Sequence, residues 1–159
     1  MQNKKEFVRI IQENEALIFK VSKVYTNSRE DEQDLYQEIV FQLWKSFSSF
    51  RNESKISTWM YRIALNTAIS NLNNEKRKGK FLPINERVLN KTDTDDPLRE
   101  ERYEILCTKI RDTVEKGIIF LYLEGKSYEE MAVITGFTST NIGTRLGRIK
   151  QKLITQIKK

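Results

Sequence analysis

The residues with the clearest chemistry lie on one face of a predicted helix in the first half of the 159-residue chain. An aromatic ring can stack on an unpaired base, arginines can pair with phosphates, and amides can hydrogen-bond to base edges. The pattern is typical of a surface for single-stranded nucleic acid, although the tryptophan would suit a helical core equally well. Its members recur at helical spacing: Trp59, Arg62, Asn66, Ser70, Asn73 and Arg77.

A second polar set lies at the start of the last predicted helix, opposite an apolar stripe formed by Ile142, Leu146, Ile149, Leu153 and Ile157. Short hydrogen-bonding groups and arginines at that place suit a recognition helix, which must reach base edges and phosphates in the major groove. The alternative is an ordinary bundle helix with a polar outer face. The predicted outward residues are Ser139, Thr140, Asn141, Thr144, Arg145 and Arg148.

A third set lies on the second predicted helix, facing away from its apolar stripe. It combines an exposed phenylalanine with carboxylates, which indicates a protein-binding patch. A metal site is disfavoured because no further ligands accompany the acids, whereas a solvated acidic face remains an alternative. The set is Asp34, Gln37, Glu38, Phe41 and Lys45.

The net charge of +6 is unevenly distributed along the chain. No acidic residue follows Glu130, whereas six basic residues do. Residues 27–38 hold five acids against one arginine, and residues 39–80 hold eight basic groups against two acids. The two basic blocks coincide with the two predicted nucleic-acid faces. For the C-terminal block, basic groups near a helix end also suit the helix dipole, so charge alone does not decide.

Composition excludes several classes of site. The chain has no histidine and one cysteine, which rules out Ser-His-Asp triads, Cys-His pairs, His-containing zinc sites and intrachain disulfides. Beyond these excluded classes, we expect no catalytic residue, no metal and no cofactor. No apolar run approaches the roughly 20 residues of a membrane span, and the N-terminus lacks an apolar signal core. A reducing, cytoplasmic location is expected.

Helical periodicity predicts an all-α fold of two small domains. In the first domain, residues 1–78, helices are expected over about 4–25, 31–46 and 58–78. The apolar residues expected to face the core are, on the second helix, Leu35, Ile39, Val40, Leu43, Trp44 and Phe47, and on the third, Met60, Ile63, Ala64, Thr67, Ala68 and Leu72. Residues 79–102 lose periodicity and contain both prolines, so we expect a flexible linker. The second domain, residues 103–159, should contain helices that start near Thr113, Tyr128 and Ser139.

Capping signals in the second domain predict a helix-turn-helix. Asp112, Ser127 and Thr138 are N-cap candidates. Gly125 is expected to end one helix, and Gly136 to provide the positive φ of the turn before the last helix. A short helix, a glycine turn and a longer capped helix are the pattern of a DNA-binding unit.

These segments together resemble an extracytoplasmic-function (ECF) sigma factor, the small alternative specificity subunit of bacterial RNA polymerase. Residues 31–38, followed by Trp44, resemble the clamp-binding helix of the second sigma domain. Residues 50–54 and 58–66 resemble its melting loop and −10 helix, and residues 123–132 with 145–148 resemble the fourth sigma domain. The resemblance covers nearly the whole chain.

The resemblance implies a role for each surface. The outward face of the second helix (Asp34, Gln37, Glu38 and Phe41) would contact the β′ clamp helices. The recognition helix would read the −35 element, although Gly143 and Gly147 stand where relatives often have basic residues or histidine. Further partners would be the β flap and an anti-sigma factor. The −10 element would meet Arg51, Asn52, Ser54, Trp59, Arg62 and Asn66.

Two alternatives have distinct signatures. A free-standing helix-turn-helix regulator would bind duplex DNA tightly as a dimer without polymerase, and would leave the stripe at 59–77 unexplained. A metal-dependent nuclease would use Asp31, Asp34 and Glu38, but these lie on one helix and no second acidic cluster completes a site.

Overall fold

The computed structural model describes residues 2–50, 54–77 and 112–157. Within these ranges all regular structure is helical, which confirms the all-α prediction. The chain divides into an N-terminal unit, Met1–Leu82, and a C-terminal unit, Pro83–Lys159. The predicted linker and residues 103–111 lie outside the described residues. The helices are α1 (Gln2–Glu13), α2 (Glu15–Val24), α3 (Arg29–Phe47), α4 (Ile56–Arg77), α5 (Thr113–Leu123), α6 (Tyr128–Thr135) and α7 (Ser139–Ile157).

The first predicted helix is in fact two helices. Asn14 leaves the helical conformation with φ −124° and ψ 19°, which separates α1 from α2. Its side-chain Nδ2 donates to the carbonyl oxygen of Ile10 at 2.8 Å. Asparagine favours such local bonds over helix continuation. The prediction of one helix over 4–25 was wrong because the apolar spacing continues across this break.

The core of the N-terminal unit lies between α2, α3 and α4. Ser28 begins α3, and its Oγ accepts from the backbone N–H of Asp31 at 3.1 Å. The predicted α4 stripe is confirmed at its small residues, since Ala64 and Ala68 are fully buried. Tyr61 and Leu65 are buried as well, so α4 packs through a wider face than predicted. The buried apolar side chains of α2 and α3 are Leu17, Ile18, Val21, Val24, Leu35, Ile39 and Leu43.

Five aromatic rings, here called the aromatic cluster, connect α1, α3 and α4. Phe7 of α1 lies 5.0 Å from Trp44 and 5.4 Å from Phe47 between ring centroids. Trp59 of α4 lies 6.2 Å from Phe47 and 4.9 Å from Phe50. Trp44 is 43% exposed, which corrects its prediction as a core residue. It lies at the edge of the cluster, where Phe7 covers part of the indole.

A second aromatic contact joins α2 to α3. The rings of Phe19 and Tyr36 lie 4.6 Å apart, and half of Phe19 is exposed. Burial, and secondarily the carboxylate of Glu15, raises the pKa of the Tyr36 phenol above its ordinary value. The phenol is therefore neutral at physiological pH.

The helices of the C-terminal unit begin at the predicted caps. Asp112 Oδ1 accepts from the backbone N–H groups of Val114 and Glu115, both at 3.0 Å. Ser127 Oγ accepts from the N–H of Glu130 at 3.1 Å. Thr138 Oγ1 accepts from the N–H of Asn141 at 3.1 Å. Short polar side chains thus satisfy N–H groups that the first turns leave unpaired.

Two glycines with positive φ end α5 and α6. Gly125 has φ 83°, and its N–H donates to the Tyr122 carbonyl, while the next N–H reaches the Leu121 carbonyl. Gly136 has φ 86°, and its N–H donates to the Ala132 carbonyl at 2.8 Å. Glycine adopts this left-handed conformation without a Cβ clash. The α6–turn–α7 segment is therefore the predicted helix-turn-helix.

Helix α7 is held in the C-terminal unit through its apolar stripe and one cross-helix ion pair. Ile142, Leu146 and Ile149 are buried as predicted. Lys152 Nζ donates to Glu115 Oε1 at 2.9 Å, which links α7 to α5. Packing dominates here, since a partly exposed ion pair contributes only about 0–1 kcal/mol.

Candidate protein and nucleic-acid interfaces

The outward face of α3 carries the predicted protein-binding residues on consecutive turns. Asp34, Gln37, Glu38 and Phe41 are all exposed, the last at 53%. Gln42 Nε2 donates to Glu38 Oε1 at 3.0 Å, which restrains that carboxylate at the surface. We call these four exposed residues the acidic face.

The acidic face has an apolar centre that remains open to solvent. Lys45 Nζ lies 5.4 Å from the centroid of the Phe41 ring and covers it only partly. The opposite side of α3 buries Leu35, Ile39 and Leu43 in the core. Burial of one side fixes the direction of the other, so the aromatic ring and the carboxylates are presented together.

The polar stripe of α4 is presented to solvent from Arg62 onward. Arg62, Asn66, Ser70 and Asn73 are exposed, as the spacing predicted. The side chain of Arg77 lies outside the described side chains. This exposed row supplies one cation and several amide or hydroxyl groups along a single helix face.

Trp59 is half-buried, so it is neither a simple core residue nor a free surface residue. Its ring is tilted by 34° against Phe50 and by 51° against Phe47. The aromatic cluster therefore supports part of the ring while the rest stays accessible. Ser54, just before α4, is also half-buried, and Arg51 and Asn52 lie outside the described residues.

The predicted recognition residues occupy the outer face of α7. Arg145 is half-buried, and its Nε donates to Asn141 Oδ1 at 2.7 Å. Its Cζ atom also lies 4.3 Å from the centroid of the Phe137 ring. The guanidinium is thus held by two side chains before any ligand arrives. The exposed members are Ser139, Thr140, Asn141, Thr144 and Arg148.

Tyr128 is a residue of this surface that the sequence did not reveal. A Cβ atom built on Gly143 would lie 3.3 Å from Tyr128 Cε2. The missing side chain of Gly143 therefore makes room for the tyrosine ring, which is 41% exposed. No periodicity connects these residues, because the contact arises from the crossing of α6 and α7. Gly147 has open space at the corresponding position.

Part of the basic charge on α7 is engaged within the C-terminal unit. Lys150 Nζ lies 4.3 Å over the Tyr122 ring and donates to its hydroxyl at 3.3 Å. Lys152 pairs with Glu115. Arg145 and Arg148 lie nearer the start of α7, beside the short polar groups. The cations most suited to a ligand on that face are therefore these two arginines.

The described residues contain neither a helix that could span a membrane nor a group of metal ligands. No helix within residues 2–50, 54–77 and 112–157 is long and apolar enough to cross a membrane. Across the same ranges, no three acidic, cysteine or histidine side chains are grouped as metal ligands.

Comparison with known proteins places each unit in a family. The model for Sigma-70 region 2 matches residues 10–78, and the model for Sigma-70, region 4 matches residues 114–153. The ECF RNA polymerase sigma-E factor of Haemophilus influenzae is 31% identical over 148 residues, covering 82% of this chain and 76% of that relative. The chain belongs to the ECF sigma factor family. This sigma factor therefore directs promoter-specific transcription by RNA polymerase, and the alternative of a free-standing regulator is not favoured.

Further relatives agree with this assignment. RNA polymerase sigma factor YlaC of Bacillus subtilis is 29% identical over 141 residues, covering 80% of this sigma factor and 78% of the relative. The structure of the sigma factor RpoE, in complex with the anti-sigma factor NepR from Bartonella quintana, gives a TM-score of 0.68. Its sequence identity is 20%, with 98% and 96% of the two chains covered. That likeness supports the two-domain helical fold.

Proposed function

We propose that this sigma factor binds the β′ clamp helices of core polymerase through the acidic face: Asp34, Gln37, Glu38 and Phe41. The supporting observation is an exposed phenylalanine that shares one helix face with two carboxylates, while the opposite side of the helix is buried. Protein interfaces typically combine an apolar centre with a polar rim that selects the partner by charge. The β flap is a second polymerase contact, made by the C-terminal unit.

The −10 element is bound by the loop before α4 and by the first turns of that helix. Trp59 can stack on an unpaired base because the aromatic cluster supports only part of its ring. Arg62 and Asn66 are exposed on the following turns and supply a phosphate contact and an amide. The proposed set is Arg51, Asn52, Ser54, Trp59, Arg62 and Asn66.

The −35 element is read as duplex by the start of α7. Hydroxyls, an amide and arginines cluster there on one exposed face, and no acidic residue follows Glu130. Such a helix start reaches into the major groove in helix-turn-helix proteins. The proposed set is Ser139, Thr140, Asn141, Thr144, Arg145 and Arg148.

The sigma factor acts by positioning DNA and is not itself an enzyme, since the polymerase performs the chemistry. It requires no cofactor and works in the cytoplasm, where the polymerase transcribes. Residues 1–78 bind the clamp and the −10 element, residues 79–102 link the domains, and residues 103–159 read the −35 element. Regulation by an anti-sigma factor is supported by the structural neighbour that was solved with one.

The observation that carries this proposal is the pairing of two sigma-family units, each with its own outward polar face. Transcription in vitro with core polymerase from the same organism tests it. Addition of the sigma factor should produce transcripts from specific promoters, which sequencing of the bound DNA would identify. The absence of both a stable complex with core and a specific transcript would contradict it.

A further inference from the structure

We infer that Arg145 reads a guanine in the −35 element and that Asn141 and Phe137 are positioning residues that hold its guanidinium. The inference rests on the proposed −35 function. It assigns Asn141 a role through Arg145 and adds Phe137, which no sequence pattern marked as functional.

Two contacts of different kinds fix the Arg145 side chain. The hydrogen bond from Nε to Asn141 Oδ1, at 2.7 Å, sets the direction of the guanidinium within one helix face. The Phe137 ring, whose centroid is 4.3 Å from Cζ, lies against the guanidinium. A hydrogen bond alone would allow rotation about its axis, and stacking alone would allow sliding. Together they leave the planar group little freedom.

Both holding residues are themselves fixed by the helix-turn-helix backbone. The N–H of Asn141 donates to the Thr138 cap, which places it in the first turn of α7. Phe137 follows Gly136, whose positive φ turns the chain, and its N–H donates to Thr135 Oγ1 at 3.3 Å. The capping residue and the turn glycine thus set the two supports on which Arg145 lies.

This arrangement suits a base edge better than a phosphate. Arginine has five N–H donors, and the Asn141 contact uses the one on Nε. The terminal nitrogens remain available for a bidentate contact with guanine O6 and N7, the commonest specific arginine contact in the major groove. Arginine also binds phosphate through a bidentate fork, but Arg145 lies among the short polar groups near the start of α7, the part of a recognition helix that faces base edges. Prior orientation at this place therefore favours reading a base.

The test uses holoenzyme reconstituted with core polymerase and a promoter library randomised over the −35 element. Arg145→Ala should remove the preference for one G·C pair, lowering it by about 5- to 150-fold. Asn141→Ala should weaken the preference at the same pair by about 2- to 12-fold, as expected for one lost hydrogen bond. In the Arg145→Ala background, Asn141→Ala should cause no further loss of preference at that base pair.

Conservative variants separate positioning from folding. Asn141→Asp keeps the acceptor oxygen, so it should retain the preference at that pair even if overall affinity falls. Phe137→Tyr keeps the ring and should behave like the wild type, whereas Phe137→Leu should reproduce Asn141→Ala. Thermal unfolding of each variant shows whether the fold is retained. If Phe137→Leu unfolds, the comparison of the single and double variants at Asn141 and Arg145 still tests whether Asn141 acts through Arg145.

A control contact lies further along α7, where Lys150 Nζ is 4.3 Å from the centroid of the Tyr122 ring. Tyr122→Leu removes that cation–ring contact together with the hydroxyl that accepts from Lys150. It should leave the −35 base preference unchanged. A change of preference at a different base pair in Asn141→Ala would show that Asn141 reads its own base, and a uniform loss across the library in Arg145→Ala would show a phosphate contact. Either result overturns the inference, while failure of the wild-type holoenzyme to select promoters would instead contradict the proposed function.

Discussion

The two units support their proposed DNA-binding side chains in different ways. In the N-terminal unit, Trp59 rests against Phe47 and Phe50 through ring contacts alone. In the C-terminal unit, Arg145 rests on Phe137 but is also directed by a hydrogen bond from Asn141. Trp59 and Arg145 are therefore both supported by aromatic rings, and Arg145 is in addition oriented by its hydrogen bond to Asn141.

The difference matches the two tasks proposed for the units. A base in an opened strand exposes its flat face, and stacking on that face tolerates any sequence and needs no fixed direction. A base in duplex DNA exposes only its edge, where the positions of donors and acceptors carry the sequence. An apolar cluster therefore suffices for Trp59, whereas Arg145 must be oriented. The comparison predicts distinct consequences when each support is removed.

The largest effect is expected from Trp59→Ala. Loss of base stacking should slow promoter opening by about 5- to 150-fold, the range for one stacked base. The defect should be much smaller on a template whose −10 region is already unpaired, because the ring would then no longer be needed to capture an opening base. Permanganate reactivity of unpaired thymines and transcript yield measure the two cases.

Trp44→Ala is the matched control for that variant. Trp44 belongs to the same aromatic cluster, but it lies on α3 and its ring contacts Phe7 of α1. Trp44→Ala should lower the free energy of unfolding, but it should not slow promoter opening specifically on the duplex template. Equal defects on duplex and premelted templates for Trp59→Ala would show that Trp59 serves the fold rather than the opening of DNA.

The next effect in size is expected from Glu38→Lys, which tests the other face of the N-terminal unit. Reversal of this exposed charge on the acidic face should weaken binding to core polymerase on the order of tenfold, because the carboxylates are proposed to select the partner by complementary charge. The free sigma factor should keep its thermal stability, since Glu38 is exposed. An affinity for the isolated β′ clamp helices equal to that of the wild type would refute the assignment.

Arg148→Ala should weaken DNA binding by a smaller amount, and to the same extent for every −35 sequence. Arg148 is exposed on α7 without the supports that hold Arg145, so we expect it to contact phosphate. Loss of one phosphate contact should reduce the slope of log affinity against log salt by about 0.9. The −35 base preference should stay as in the wild type. A changed base preference would erase the distinction drawn between the two arginines.

The sequence was sufficient for features that depend on neighbours along the chain. Asp112, Ser127 and Thr138 were found as caps because capping joins residues three apart. Gly125 and Gly136 were found because few other residues adopt positive φ. The exposed faces of α3, α4 and α7 followed from helical spacing and an apolar opposite side.

Contacts between helices could not be predicted in the same way. The support of Arg145 by Phe137 depends on the geometry of the turn, and the contact of Tyr128 with Gly143 depends on how α6 crosses α7. Trp44 was assigned to the core because its spacing fits the stripe, yet the position of α1 leaves the indole partly exposed. Spacing identifies which face a residue occupies but not how far the neighbouring helix covers it.

The smallest effects are expected from alanine substitutions of Gly143 and Gly147 in the recognition helix. Their effects on stability show whether the absence of side chains there makes room for Tyr128 or for DNA. A Cβ on Gly147 meets open space, so Gly147→Ala should raise the free energy of unfolding by about 0.5–1 kcal/mol. The corresponding rise in melting temperature is about 2–8 °C.

Gly143→Ala should gain less, because the Tyr128 ring must shift by a few tenths of an ångström to accommodate the added carbon. Tyr128→Ala should remove that restriction, so Gly143→Ala in its background should stabilise the fold as much as Gly147→Ala does. Calorimetry of the four variants measures the difference. Equal stabilisation by the two glycine substitutions in the presence of Tyr128 would mean that the ring places no constraint on Gly143, and the bare surface of α7 would then require an explanation in its contact with DNA.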